Sequence, residues 1–297
     1  MNGFSKIFAS VLLLASATMV AAQAKDEKKP EGQQPAAAQQ PAVNPYNGGT
    51  ATSPMPKSKE EAAAYNAFVQ MQDPAALEAA AADLVAKYPD SNLKGVIYQR
   101  VMLSYEGAGP DKADKAIESG KKALSFDPND PLTNAEVASL VAQHTKGSDL
   151  DKDEKLADVH KYADAALKNA DSPRVDSKAP QSAIDTLKAD IKAEAYNALG
   201  LAAFINKDYA TAEVNFQKTV DANPAQPDSV ALLRLGIAQR NLNKLDAALA
   251  SLNKSIDAAN ATQMQQIANI ATNQRDDVLK LIDKKKAAAP AAPAPKP

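Results

Sequence analysis

Two segments of this chain place the same residue types at the same spacing, and this internal repeat limits the fold more than any other feature. In the first segment, Gly200 is followed twelve residues later by Ala212 and four residues further on by Phe216. The second segment repeats these offsets with Gly236, Ala248 and Leu252. Because a mid-helix glycine costs on the order of 1 kcal/mol relative to alanine, a partner helix should pack against each glycine backbone. The repeat predicts paired helices in which Ala212 and Ala248 meet the glycines.

Further positions extend the match beyond the glycine, alanine and large apolar residue. The first segment adds Tyr196, Leu199, Tyr209 and Pro224. The second adds Leu232, Leu235 and Leu245, with Asn260 where the proline would fall. The pattern resembles the tetratricopeptide repeat (TPR) family, in which an aromatic residue, Leu-Gly, Ala, Phe and Pro over ~34 residues describe two antiparallel helices. The best matches are residues 193–226 and 229–262.

The resemblance implies a role for each repeated residue and a fold for the whole chain. Phe216 and Leu252 would fill the space between one hairpin and the next, and Pro224 would end its repeat because proline cannot continue a helix. The implied fold is all-α: a TPR-like solenoid of helical hairpins, forming a right-handed superhelix. It would occupy residues 58–260, followed by a polar capping helix over 261–284.

Helix start signals agree with this fold. Asp73-Pro74 and Asp130-Pro131 each place a capping carboxylate before a proline suited to the first helical turn, and Asp90, Asp111 and Asp228 can cap other helices. No strand pattern interrupts the helices. The expected helices cover residues 58–71, 74–88, 92–107, 111–126, 131–145, 152–169, 179–205, 208–222, 228–242, 245–258 and 261–284.

An earlier segment keeps part of the repeat. Leu103, Ala116, Ala123-Leu124 and Pro128 have the expected offsets. Ser104 replaces the glycine and Gly120 replaces the large apolar residue. We therefore interpret this segment as a degenerate repeat.

The N-terminus has the features of a secretion signal. Lys6 precedes an apolar run from Ile7 to Ala22, and Ala22-Gln23-Ala24 has the small-x-small pattern of a cleavage site. We expect residues 1–24 to be a signal peptide cleaved near Ala24, and the chain to be an exported bacterial protein, periplasmic or secreted. No other stretch is apolar enough to span a bilayer, so we expect no membrane span in the mature chain.

Both ends of the mature chain are compositionally biased. Residues 25–57 are rich in Pro, Gln, Ala and Gly, and residues 285–297 form a Lys, Ala and Pro tail. Such segments bury too little apolar surface to offset the entropy of ordering them. We expect a disordered linker and a disordered tail.

Composition and motifs argue against several functions. A formal charge of -2 gives no general electrostatic reason to bind nucleic acid, and the absence of cysteine excludes disulfides and thiolate metal sites. His144 and His160 have no ligand cluster at metal-binding spacing. Asp149, Asp151 and Asp153 begin like a calcium loop, but Glu154 and His160 stand where that loop needs Gly and Glu. We expect no catalytic residue, no cofactor and no metal site.

The TPR resemblance implies a groove lined by the first helix of each hairpin. The candidate partner-binding residues are Asn197, Leu201, Phe204, Leu233, Ile237 and Arg240, with Tyr98, Val101 and Tyr105 in the degenerate repeat. The leading hypothesis is a non-enzymatic extracytoplasmic scaffold or adaptor that binds a protein or peptide in this groove. Alternatives are an envelope-associated spacer tethered by its Pro-rich ends, and a small-ligand carrier. It is also open whether the apolar groove candidates are simply core residues.

Overall fold

A computed structural model describes residues 54–175, 179–224 and 226–288. Within them the chain is helical, and no strand occurs. The α-helices are α1 (Lys59–Val69), α2 (Pro74–Lys87), α3 (Lys94–Ala108), α4 (Ala113–Phe126), α5 (Pro131–Gln143), α6 (Lys152–Asn169), α7 (Gln181–Ile205), α8 (Tyr209–Ala222), α9 (Ser229–Asn241), α10 (Leu245–Ala261) and α11 (Gln265–Ala288); a 3-10 turn covers Pro110–Lys112. Helices adjacent in sequence pack together in pairs. The predicted all-α class of TPR-like hairpins is confirmed.

The chain divides into two compact units. The first unit consists of two segments, the chain up to Asn134 and Asn169–Ile191. The second unit consists of Ala135–Lys168 and the chain from Lys192 onward. The two best-matching repeats fall in the second unit.

Aspartates cap many of the helices, as their positions before the helical segments predict. Asp73 accepts a hydrogen bond from Ala76 N–H at 2.8 Å, and Asp130 accepts one from Thr133 N–H at 3.0 Å. Asp228 accepts from the N–H groups of Val230 and Ala231 at the start of α9. These bonds satisfy backbone donors that have no partner within the first helical turn.

Two of the predicted caps were wrong. Asp90 does not cap α3, whose N-cap residue is Leu93 and has no side-chain cap. The shorter Ser91 side chain accepts from Leu93 N–H at 2.9 Å instead. Asp111 lies within the 3-10 turn and pairs with Lys112 at 2.9 Å, because the turn displaces the start of α4 to Ala113.

The first unit is fastened by a largely buried ion pair. Arg174, on the segment before α7, reaches the Asp130 carboxylate through Nη2 at 2.8 Å and Nε at 3.0 Å. The side chains are only 13% and 3% exposed, respectively. Because Asp130 also caps α5, the ion pair connects the segment before α7 to the start of α5.

The second unit stacks its helices in chain order. α8 packs against α9, α9 against α10, and α11 against both α9 and α10. One cluster joins α9, α10 and α11 through buried side chains: Leu233, Leu245, Ala248, Leu252, Ala271 and Val278. The C-terminal helix therefore supplies part of the core of this unit.

The last two helices end later than predicted. α10 continues to Ala261 rather than ending near 258, because Asn260 replaces the proline that would have stopped it. α11 begins at Gln265 and extends to Ala288, so residues 285–288 of the predicted disordered tail are helical. Lysine and alanine are good helix formers, and cations favour a helix C-terminus.

The predicted chain ends are mostly beyond the described residues. The signal peptide, linker residues 25–53 and tail residues 289–297 all lie outside them. Only residues 54–57 of the predicted linker are described, and the expectation of disorder does not hold there. Pro54 is buried, and Lys57 N–H donates to the Glu61 carboxylate as α1 begins.

Three turns in the second unit each contain one residue in the left-handed backbone conformation. Lys207, Asn243 and Gln263 have φ of 61°, 57° and 57°. At the first turn, Lys207 N–H donates to Phe204 O and Asp208 N–H donates to Ala203 O, and the other two turns have the same bonding pattern. This is the Schellman arrangement, in which the left-handed position favours glycine.

Replacing Lys207 with glycine should therefore stabilise the second unit by about 0.5–1 kcal/mol, because glycine adopts positive φ without steric cost. Urea unfolding followed by circular dichroism measures the change. The matched control is Asn243→Gly, which should gain less because asparagine already tolerates this conformation. Loss of stability in Lys207→Gly would contradict the assignment.

Candidate protein-binding face

In each repeat, a large side chain of the second helix packs over the mid-helix glycine of the first. A Cβ atom added to Gly200 of α7 would lie 2.6 Å from Cδ1 of Phe216 on α8. A Cβ added to Gly236 of α9 would lie 2.6 Å from Cγ of Leu252 on α10. Both distances are too short for a real contact, so each glycine is required by the side chain that covers it.

The predicted contact partners of the glycines need correction. Phe216 rather than Ala212 covers Gly200, and Leu252 covers Gly236, with only the carbonyl oxygen of Ala248 nearby at 3.3 Å. A helical side chain leans toward the N-terminus and lies over the preceding turn. The residue one turn beyond the alanine therefore reaches back to the glycine.

The structure also shows where the other repeated residues of the first hairpin lie. Phe216 is fully buried and clusters with Ala203, Ala212, Leu235 and Ala238, so it also fills the space between the hairpins. Leu199 is buried in α7. Pro224 is exposed in the turn after α8, where it follows the helix end at Ala222.

Substituting Gly236 with alanine should destabilise the chain by about 1–2 kcal/mol, because the clash with Leu252 outweighs the gain in helix propensity. The matched control is Gly107→Ala in α3, where an added Cβ meets nothing within 4 Å. That change should be neutral or stabilising by up to about 1 kcal/mol. Chemical denaturation of both variants makes the comparison, and equal effects would contradict the packing.

On α7, three groove candidates follow one another at helical spacing. Asn197, Leu201 and Phe204 are all half-buried. Phe204 makes an edge contact with Tyr209 at a ring-centroid distance of 5.3 Å and packs near Phe216. Its ring is therefore mainly part of the hairpin core, whereas Leu201 lies between Asn197 and Phe204 on the same face of the helix.

On α9, the candidates differ in their exposure. Leu233 is buried in the cluster with α10 and α11, and Ile237 packs against the same cluster. The prediction that Leu233 lines an open groove was therefore wrong, because α11 covers it. Arg240 is half-buried and donates from Nη1 to Gln274 Oε1 of α11 at 2.7 Å.

The three candidates in the first unit are also buried, so the expected open groove is not found there. Val101 is in the core, and the Tyr98 ring stacks on Phe126 at 5.9 Å. Tyr105 donates its hydroxyl hydrogen bond to Glu78, which lowers the pKa of that carboxyl. These side chains join α3 to its neighbouring helices and are not available to a partner.

Comparison with known proteins identifies the two hairpins of the second unit. The family profile described as "Tetratricopeptide repeat" matches residues 193–226 and 230–262. These hairpins are tetratricopeptide repeats. Among solved structures, the chain matches "Crystal structure of APC/C hetero-tetramer Cut9-Hcn1" at 18% sequence identity and a TM-score of 0.32, covering 80% of this chain and 48% of that chain. The chain thus spans about half the length of the matched structure, and no curated protein matches it.

TPR arrays are protein-interaction scaffolds that bind along the surface built by stacked hairpins. In the two matched hairpins, sequence reasoning missed one residue that bonds to the groove candidate Asn197. Arg234 of α9 is half-buried and donates from Nη1 to Asn197 Oδ1 of α7 at 2.8 Å. A lone charge in the apolar run from Val230 to Ala238 was the signal that could have identified it.

Two guanidinium groups thus connect α7 to α9 and α9 to α11 through neutral amides. We call the pairs Asn197–Arg234 and Arg240–Gln274 the amide–guanidinium ladder. Burial lowers the pKa of Arg234, against the opposing attraction of Asp228 and Glu194. The Asp228 carboxylate also accepts the hydrogen bonds that cap α9. The ladder places charged and amide groups among candidates that were mostly apolar.

The acidic loop before α6 is occupied by a lysine. The Lys155 ammonium lies 3.1 Å from the Asp149 carboxylate and 3.0 Å from that of Asp151. Asp149 also accepts from Lys146 N–H at 3.0 Å. The alternating aspartates therefore form a helix-start network, and in the part of the chain that the structure describes no group of metal-ligating side chains is found.

Proposed function

We propose that this protein is a non-enzymatic extracytoplasmic scaffold that holds a protein or peptide partner on the amide–guanidinium ladder side of its TPR pair. The observation that carries the proposal is the pair of repeats, whose hairpins are fixed by Gly200 and Gly236 and matched by the family profile. A rigid stack presents side chains from successive helices at fixed spacing, which suits binding of an extended segment.

A photo-crosslinking amino acid at position 201 tests partner binding in cells. Leu201 is half-buried on α7, one turn from Asn197, so a probe there would touch a segment lying on the ladder. The matched control is position 214 on α8, where Val214 is 54% exposed. We expect a discrete adduct from position 201 and none from position 214. Equal labelling, or no adduct from either position, would contradict the proposal.

The extracytoplasmic location is supported by the sequence of residues 1–24. No helix within the described residues combines the length and apolarity needed for a bilayer span. The proposal predicts that intact-mass measurement of the protein from fractionated cells finds a chain beginning after Ala24 in the extracytoplasmic fraction. Recovery of the full-length chain from the cytoplasm would refute this location while leaving the scaffold role to be judged by crosslinking.

A further inference from the structure

We propose that a cleft in the first unit binds one ring of a neutral sugar. The cleft lies where the start of α3, the end of α4 and the segment before α7 come together, and its walls all belong to that unit. The walls include Ser91, Asn92, Lys94, Phe126, Asp127 and Arg174. The site shares no residue with the amide–guanidinium ladder, so failure of one proposal leaves the other standing.

One wall of the cleft is an aromatic ring. Phe126, the last residue of α4, is 40% exposed and is the most exposed aromatic side chain among the described residues. Its ring stacks on the buried ring of Tyr98, with the centroids 5.9 Å apart and the planes at 11°. This stack fixes the orientation of the exposed ring. Because the C–H groups on one face of a sugar ring are apolar, they are stabilised by packing against such a surface.

Hydrogen-bond donors and acceptors stand side by side next to that ring. Arg174 Nη2 lies 3.4 Å from a carboxylate oxygen of Asp127, whose side chain is 41% exposed. The exposed Asn92 amide offers both a donor and an acceptor. The Lys94 ammonium lies 5.1 Å from the centroid of the aromatic ring and donates to one backbone carbonyl, which leaves two further N–H donors. Each sugar hydroxyl both donates and accepts, so a wall of mixed donors and acceptors suits a sugar.

The charges at the cleft balance, which favours a neutral ligand over an ion. Arg174 pairs with both Asp127 and the buried Asp130. Two carboxylates therefore match the two cations, Arg174 and Lys94. An ionic ligand would have to displace part of this network or add an unmatched charge, whereas a neutral ring can bond to its outer N–H and oxygen atoms.

The dimensions of the cleft suit a single ring. Its volume is about 350 Å³, near the lower end of the range of about 300–1,000 Å³ that is typical of ligand pockets, and it is partly open to solvent. Gly95 lines the cleft without a side chain to fill it, and a Cβ atom there would lie 3.2 Å from Cβ of Asp127. The neighbouring rings of an oligosaccharide would extend into solvent.

Titration calorimetry of the full chain with three tetrasaccharides tests the site. The neutral probes are chitotetraose and maltotetraose, and the anionic probe is tetragalacturonic acid. We expect a neutral probe to bind and the anionic probe to bind roughly tenfold more weakly or not at all. A preference for chitotetraose would indicate an amino-sugar glycan as the source of the ring, and a preference for maltotetraose a glucan. Binding of neither neutral probe, or tighter binding of the anionic probe, would overturn the inference.

Substitutions in the cleft locate the bound ring. Phe126→Leu removes the aromatic face but keeps an apolar side chain, and it should weaken binding of the neutral sugar roughly tenfold. Asn92→Ala should weaken binding by roughly threefold to tenfold, because one neutral hydrogen bond is lost. The matched control is Asn253→Ala, which removes the same amide from an exposed position on α10 and should not change the affinity. Circular dichroism checks that each variant is folded. Unchanged affinity in a folded Phe126→Leu chain, or an equal loss in Asn253→Ala, would place the sugar elsewhere and overturn the inference.

Discussion

Replacing Phe216 with alanine should lower the free energy of unfolding of the second unit by about 3–5 kcal/mol. The ring is fully buried, covers the backbone of Gly200, and packs against Leu235 and Ala238 of the next hairpin. Its removal leaves a cavity that the surrounding helices cannot close without separating from one another. Urea unfolding of the purified chain, followed by circular dichroism, measures the loss.

The control for this prediction lies two residues away on the same helix. Val214 is 54% exposed, so Val214→Ala should change stability by no more than about 0.5 kcal/mol. If both variants lost equally little stability, Phe216 would not hold the two repeats together.

Replacing Arg174 with alanine should cost a comparable amount in the first unit, about 3–5 kcal/mol. The substitution leaves the Asp130 carboxylate, which is 3% exposed, without its bidentate cation. The midpoint of thermal unfolding should fall. The fall should be larger than the one caused by removing any exposed ion pair.

Two further variants test whether the loss of stability comes from the unpaired buried carboxylate or simply from removing an arginine side chain. Arg275→Ala removes an arginine from a partly exposed pair with its chain neighbour Asp276 and should cost less than about 1 kcal/mol. Asp130→Asn combined with Arg174→Met should lose less than Arg174→Ala alone, because no buried charge remains. A double variant less stable than Arg174→Ala would show that the lost charge partner is not the cause.

Much of the helical fold could be predicted because its signals are local. Asp73, Asp130 and Asp228 cap helices through bonds within the first turn, and Pro224 follows a helix end by two residues. Departures also had local causes, such as the 3-10 turn at Pro110–Lys112, which moved the start of α4.

The packing partners of the glycines could not be predicted from spacing alone. Ala212 and Phe216 are four residues apart and therefore share one face of α8. Sequence spacing does not say which of them lies level with Gly200. The backward lean of helical side chains decides in favour of Phe216.

The candidate site was predicted least well, because it depends on which helices cover one another. Leu233 is hidden by α11, and Tyr98 by the stacked ring of Phe126. Arg234 joined the site only through a bond to Asn197, thirty-seven residues earlier. Such contacts are long-range, and a single sequence carries no periodic signal for them.

The packing of each hairpin depends most on a glycine that makes room for a large side chain of the partner helix. A double-mutant cycle between Gly200 and Phe216 measures this directly. Gly200→Ala should destabilise the chain by about 1–2 kcal/mol when Phe216 is present. In the Phe216→Ala background the same change should stabilise by up to about 1 kcal/mol, because alanine favours the helix and fills vacated space. An effect of the same sign and size in both backgrounds would show that Phe216 does not require a glycine at position 200.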